Sequence, residues 1–134
     1  MIEIRWRTLD DEDLGWDSCR CLYAYLTPNR KEILYIGKAW VATLRDRWYK
    51  KRAFWKDLEK KRGIKHVIPL IGEVYLFGEQ RLTRELLADI ESLLINAEKP
   101  WGNIQCQKDR ISRPSMQVKC TGKWPKRRRM YEDK

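Results

Sequence analysis

Two β-forming runs joined by a short polar turn constrain this chain more than any other feature. Cys19 to Thr27 reads CRCLYAYLT, Pro28-Asn29-Arg30-Lys31 is a turn signal, and Glu32 to Gly37 reads EILYIG. Such a pair predicts a hairpin. The pleat sorts its side chains, because successive residues of a strand point to opposite faces. Cys21, Tyr23 and Tyr25 alternate with Leu22, Ala24 and Leu26, and on the return strand Ile33, Tyr35 and Gly37 alternate with Leu34 and Ile36. An even register puts Tyr23 near Tyr35 or Gly37 on a tyrosine-rich face, with an aliphatic face behind it. Tyrosines favour half-buried strands for packing reasons alone, so this face by itself reads as structural.

The remaining patterning surrounds that hairpin with helices. Ile2, Ile4 and Trp6 alternate with Glu3, Arg5 and Arg7, which predicts a short strand. Thr43 is placed to cap a helix holding LRDRWYKK, and a second helix over Ala53 to Arg62 stops at Gly63. In VIPLIGEVYLF, Pro69 restricts the expected strand to Gly72 to Phe77, since proline cannot donate to an interior ladder. The clearest helix is Thr83 to Ala97. Leu82, Leu86, Leu87, Ile90, Leu93, Leu94 and Ala97 give it one apolar face, and Pro100 and Gly102 end it. No regular element is predicted beyond Asn103. A small sheet covered by helices buries these faces. The expected organisation is one domain over residues 1–107, its core at 20–104, followed by a basic extension over 108–134.

Charge narrows the partners. The chain has 134 residues and a formal charge of +10. Residues 38–62 carry ten basic and three acidic side chains, net +7, and residues 108–134 carry the same numbers. The sequence elsewhere is acidic on balance. Two basic blocks on one small domain suit a polyanion, with solvated helix surface and a solubilising tail as the plain alternative. Seven Trp and six Tyr argue against wholesale disorder. The N-terminus lacks a signal-peptide pattern and no apolar run is long enough to span a bilayer. The expectation is an intracellular, cytoplasmic protein without a membrane partner. Cys19, Cys21, Cys106 and Cys120 do not have zinc-site spacing and read as reduced structural thiols.

Cys21-Leu22-Tyr23, and then Tyr35-Ile36-Gly37 after eleven intervening residues, resembles the paired signature of the GIY-YIG nuclease superfamily. The first triplet departs from Gly-Ile-Tyr but keeps its tyrosine. The second is intact. That family has an Arg on the next helix, a Glu on a later helix and an Asn shortly after it. Arg45 or Arg47, Glu91 and Asn103 stand in that order, the last two within LLADIESLLINAEKPWGN. The resemblance spans Cys21 to about Asn103. It implies an α+β fold with a small, mainly antiparallel three-stranded sheet flanked by helices.

The choice of Arg follows from helix geometry. Positions 45 and 47 lie about 200° apart on a helix, so only one faces the sheet. Leu44 and Trp48 mark the buried face, and Arg47 lies on that side within Leu-x-x-Arg-Trp. Arg45 is the alternative, and Tyr49 then matches a further family position four residues on. With Arg47 that position is Lys51.

The resemblance implies a metal-dependent DNA endonuclease. Glu91 is the implied ligand of one Mg²⁺ or Mn²⁺, Arg47 clamps the scissile phosphate, Tyr23 activates the attacking water, and Tyr35 orients water or phosphate. Lys38 supports the site and Asn103 holds backbone geometry. An unperturbed tyrosine titrates near pH ~10, so Tyr23 needs a neighbouring cation to act as a base. Candidate DNA contacts are Lys50, Lys51 and Arg52 on one block. On the other they are Lys126, Arg127, Arg128 and Arg129, with Trp124 free to stack on a base. One copy has one site, so cutting both strands takes a homodimer or a second encounter. The competing readings are a non-cleaving nucleic-acid-binding module on the same fold, and an interaction protein that uses its Trp-rich surface.

Overall fold

The computed structural model of the chain describes residues 1–106 and 116–132. Their strands are β1 (Ile2–Thr8), β2 (Cys21–Leu26), β3 (Ile33–Ala39), β4 (Ile68–Leu76), β5 (Gln117–Gly122) and β6 (Met130–Glu132). The helices are α1 (Leu44–Tyr49), α2 (Arg52–Arg62) and α3 (Arg84–Glu98), with short 3-10 turns at Leu14–Asp17 and Trp101–Cys106. The protein is α+β, as expected.

The expected three-stranded sheet is corrected to a mixed sheet of six strands among the described residues, ordered β3-β2-β4-β1-β5-β6. The first strand does not stand apart. It pairs antiparallel with β4 from Ile2↔Leu76 to Thr8↔Leu70. On its other side β1 takes β5 in parallel, Ile2↔Val118 to Trp6↔Gly122, and β6 closes on β5. Residues 117–122 and 130–132 therefore complete the sheet and do not form an arm outside it. The expected boundary at 107 lies outside the described residues.

The expected start of β4 is also corrected. The strand includes Pro69, opposite Tyr25 of β2. The Pro69 carbonyl points the other way, accepting from Leu9 N at 2.9 Å. In an antiparallel ladder a residue's N and C=O share one side. The missing N–H thus falls beyond Thr8↔Leu70, where the β1 ladder has ended, and no bond to β2 is lost.

Each sheet face has its own core. On one, α3 lays Leu86, Leu87, Ile90 and Leu94 over Leu22, Ala24, Leu26 and Ile36. On the other, Tyr23, Tyr25, Ile71 and Leu44 pack with Trp48, Phe54 and Trp55 from α1 and α2. The alternation expected of the hairpin is present except at Ile33, which a register shift between Tyr25 and Leu26 sets opposite Leu26 in the α3-side core, not with Tyr35. No helix among the described residues is long and apolar enough to cross a membrane.

Candidate active site

Helix α1 aims Arg47 because its start is fixed. Thr43 Oγ1 accepts from Asp46 N at 3.2 Å while Asp46 Oδ2 accepts from Thr43 N at 3.1 Å, a reciprocal capping box. Leu44 is buried, Trp48 is half-buried, and Arg47 shares their side, its Nε fully enclosed. Arg45 points away and pairs with Asp17 at 3.2 Å. Tyr49 is 68% exposed. The fold thus puts Arg47, and not Arg45 or Tyr49, against the tyrosine face.

That face is a stack of phenols. Tyr23 lies opposite Gly37 and Tyr25 opposite Tyr35. Ring centroids are 5.9 Å apart for Tyr23 and Tyr35, 5.4 Å for Tyr23 and Tyr25, and 6.0 Å for Tyr25 and Tyr35. A Cβ on residue 37 would overlap the Tyr23 ring, so glycine there is what lets the phenol lie across the edge strand. Lys51 Nζ stands 4.5 Å from the Tyr35 centroid and 5.4 Å from that of Tyr23. Burial, reinforced by Tyr35 and Tyr25, pushes the Tyr23 phenol well above its ordinary value, and the Arg47 charge acts against that shift. Tyr25 is raised by burial and by Tyr35, again opposed by Arg47.

Two polar atoms of this cluster are orphaned. Tyr23 Oη and Arg47 Nε are among the four buried side-chain polar atoms without a hydrogen-bond partner among the described residues. A buried orphan costs about 1–3 kcal/mol; the Tyr23 hydroxyl also interacts with Tyr35, and the other two such atoms, Trp6 Nε1 and Thr8 Oγ1, lie outside this cluster. Arg47 offers an N–H donor and Tyr23 a hydroxyl, the complement of an anionic oxygen or a water.

Lys38 and Glu91 form a second group. Lys38 Nζ donates to Glu91 Oε1 at 3.1 Å, with only 13% of the glutamate side chain exposed. Alternation along β3 puts Lys38 on the α3 face, with Ile36, whereas Tyr35 and Gly37 belong to the tyrosine face. The sheet therefore divides the constellation: Tyr23, Tyr35 and Arg47 on one face, Lys38 and Glu91 on the other. The two meet along β3, which is an edge strand.

Among the described residues no three His, Cys, Asp or Glu gather as a metal-binding group. A cage made wholly of protein ligands does not fit Glu91. A Mg²⁺ that keeps several waters and takes one carboxylate plus phosphate oxygens does fit it. Lys38, already on Oε1, would share or yield that oxygen.

Asn103 holds the edge. It is 1% exposed, its Oδ1 accepts from Ile36 N at 2.8 Å, and its Nδ2 donates to Ile36 O at 2.8 Å. The outward backbone groups of an edge strand are thereby satisfied by one side-chain amide, between Tyr35 and Gly37.

The basic residues divide in their employment. Lys50, Arg52 and Arg127 are exposed. Arg129 is used internally, donating to the carbonyls of Cys120, Gly122 and Trp124 at 3.3–3.5 Å. Arg128 donates to Met130 O and lies over the Tyr131 ring. The Arg62 hydrogen bonds, with added help from the Lys126 charge, hold Glu32 below the usual carboxylate range. Trp124, expected to be free for stacking, is 3% exposed and stacked on Trp6 at 4.8 Å. It is core.

Sequence reasoning assigned Lys51 to the DNA-contact block and gave Tyr25 no site role. The available signals were Lys51 four residues after Arg47, one helical turn on, and Tyr25 two residues after Tyr23 on the same pleat face. Compared with protein-family models, with characterised proteins and with solved structures, the chain shows no match.

Proposed function

We propose that this protein is a metal-dependent DNA endonuclease of the GIY-YIG type. The observation that carries the reading is Tyr23 on β2 facing Arg47 of α1, with Tyr23 Oη and Arg47 Nε both buried and without a hydrogen-bond partner among the described residues, beside a β3 edge that Asn103 clasps. These are three of the residues that the sequence resemblance singles out for catalysis.

In this reading Arg47 grips the scissile phosphate through its planar donors, a task for which lysine is poorly shaped. Burial keeps the Tyr23 phenol neutral in the free protein, so its first role is to donate to and place a water or phosphate oxygen. It becomes a base only where added positive charge offsets burial, and Arg47 already acts in that sense. Tyr35 and Lys51 form the wall against which the strand lies. Glu91 on the far side of the β3 edge holds the divalent ion, Mg²⁺ or Mn²⁺, with Lys38 orienting its carboxylate. When bound, that ion neutralises phosphate charge and lowers the pKa of its water. The partner is DNA, reached through the exposed cations Lys50, Arg52 and Arg127. The products expected are 5′-phosphate and 3′-hydroxyl ends, with nicking by a single copy.

Supercoiled plasmid incubated with the protein and Mg²⁺ or Mn²⁺ tests this. Relaxed circles that a chelator prevents, with ligatable ends, are expected. Intact plasmid, with branched and single-stranded DNA also left whole, would overturn the reading in favour of a binding module.

A further inference from the structure

Beside the candidate active site lies a cleft of about 580 Å³ that the chemistry above does not use. This is within the size range of small-molecule sites. Its walls are aromatic: Trp16, Trp48, Trp55 and, at the mouth, Tyr49. Trp16 meets Trp48 edge-on at 5.4 Å, and Trp48 and Trp55 lie 4.3 Å apart. The indole N–H groups of Trp16 and Trp55 are already committed, Trp16 Nε1 to Asp10 O at 2.7 Å and Trp55 Nε1 to Trp48 O at 3.0 Å. These rings are therefore fixed, and what they offer the cleft is π surface. Tyr49 is 68% exposed, an aromatic at the mouth that the core does not need.

The cleft adjoins the candidate site through covalent and packing contacts. Tyr49 lines the cleft, Lys50 follows it exposed to solvent, and Lys51 lies over the Tyr35 and Tyr23 rings. Trp48 and Trp55 both pack on Tyr25, at 5.2 and 5.0 Å, and Tyr25 packs on Tyr23. Asp11 and Glu59 also line the cleft. Arg45, Lys65 and His66 line it too, and Glu59 pairs with Lys65 at 4.0 Å; this mixed set of donors and acceptors suits the polar edge of a base.

We propose that this cleft receives an unpaired nucleobase of the bound strand, stacked among Trp48, Trp55 and Tyr49, while the neighbouring phosphate lies toward Lys51 and Arg47. Aromatic stacking of a base takes any π-face and contributes about 1–3 kcal/mol per base. The preferred substrate of the proposed nuclease is then DNA with an unstacked nucleotide beside the cut, such as a bulge or a single-stranded segment. This rests on the DNA-binding part of the proposed function, and not on cleavage.

The test compares the full-length protein, in chelator, on two labelled duplexes. One carries a single unpaired adenine and the other an abasic residue at that position. The expected result is affinity about five- to 100-fold higher for the base-bearing duplex, with quenching of tryptophan fluorescence. Tyr49→Ala should abolish that preference and Tyr49→Phe should retain it. Equal affinity for the two duplexes, or a preference that survives Tyr49→Ala, overturns the proposal. Equal affinity alongside plasmid cleavage removes the base cleft and leaves the nuclease. A base preference without cleavage does the reverse.

Discussion

The side-chain amide of Asn103 takes the place of a seventh strand: its two 2.8 Å bonds occupy both outward backbone groups of Ile36, sixty-seven residues earlier in the chain. Removing it leaves a buried N–H and a buried C=O unpaired. Asn103→Ala should cost roughly 2–4 kcal/mol, read as a lower urea midpoint with an unchanged slope. Asn103→Asp keeps the acceptor, loses the donor and buries a charge, so it should not rescue. Wild-type stability in either variant would show that Ile36 finds water instead.

Gly37 and Tyr23 make the second prediction. A methyl group at residue 37 overlaps the Tyr23 ring, which sits on the strand opposite. Gly37→Ala should destabilise by about 1–3 kcal/mol through overpacking. It should also abolish cleavage by displacing the phenol. Denaturation and plasmid nicking measured on one preparation check both parts, and full activity would mean that Tyr23 has no fixed place in the chemistry.

The two arginines of α1 separate sharply. Arg47→Ala should reduce the cleavage rate by about 10²–10³-fold, the usual effect of deleting a donor to a developing anion. Arg45→Ala breaks only an exposed pair with Asp17 and should change the rate little. The reverse order of rates would place the phosphate on the other side of the helix.

Alkaline pH should unfold the protein early. Burial pushes the Cys21 and Cys120 thiols up to about 12, against roughly 8.5 in an unfolded chain. Between those values the unfolded chain holds fewer protons than the folded one. The stability is complete below the lower value and is lost as pH rises toward the upper. Each thiol contributes a loss of about 1.4 kcal/mol per pH unit in that window. The urea midpoint should fall between about pH 9 and pH 11, less steeply in Cys120→Ala. An unchanged slope in that variant would show Cys120 ionising freely in the folded state.

The hairpin, the three helices and the placement of Arg47 were legible because local periodicity determines them. The sheet's extent was not. Gln117-Val118-Lys119-Cys120 does alternate, with Val118 and Cys120 wholly buried. The signal is too short to separate from a charged tail; the segment's docking shows in its parallel pairing with β1 and in Trp6 stacked on Trp124. Pro69 hid the start of β4 because its tolerance depends on where β1 ends. The partition of the site between two faces was also hidden. Alternation along β3 separates Lys38 from Gly37, but it does not say that Glu91 of α3 pairs with the former.

A consequence of that docking is that the basic tail cannot be trimmed. Truncation before Met116 removes Val118, Trp124 and Tyr131 from the core and exposes the edge of β1. Loss of one buried Trp alone costs about 3–5 kcal/mol, comparable with much of a small domain's stability. The truncated chain should aggregate or lose its near-ultraviolet circular dichroism, whereas a dispensable arm would leave that spectrum intact.

The most direct test of the proposed function is plasmid nicking by Glu91→Gln beside wild type, in Mg²⁺ and at matched DNA affinity. Nicking by wild type, and loss of at least about 10²-fold in the Glu91→Gln variant despite unchanged binding, is the result expected of the carboxylate that holds the ion. Equal nicking by both proteins would contradict it.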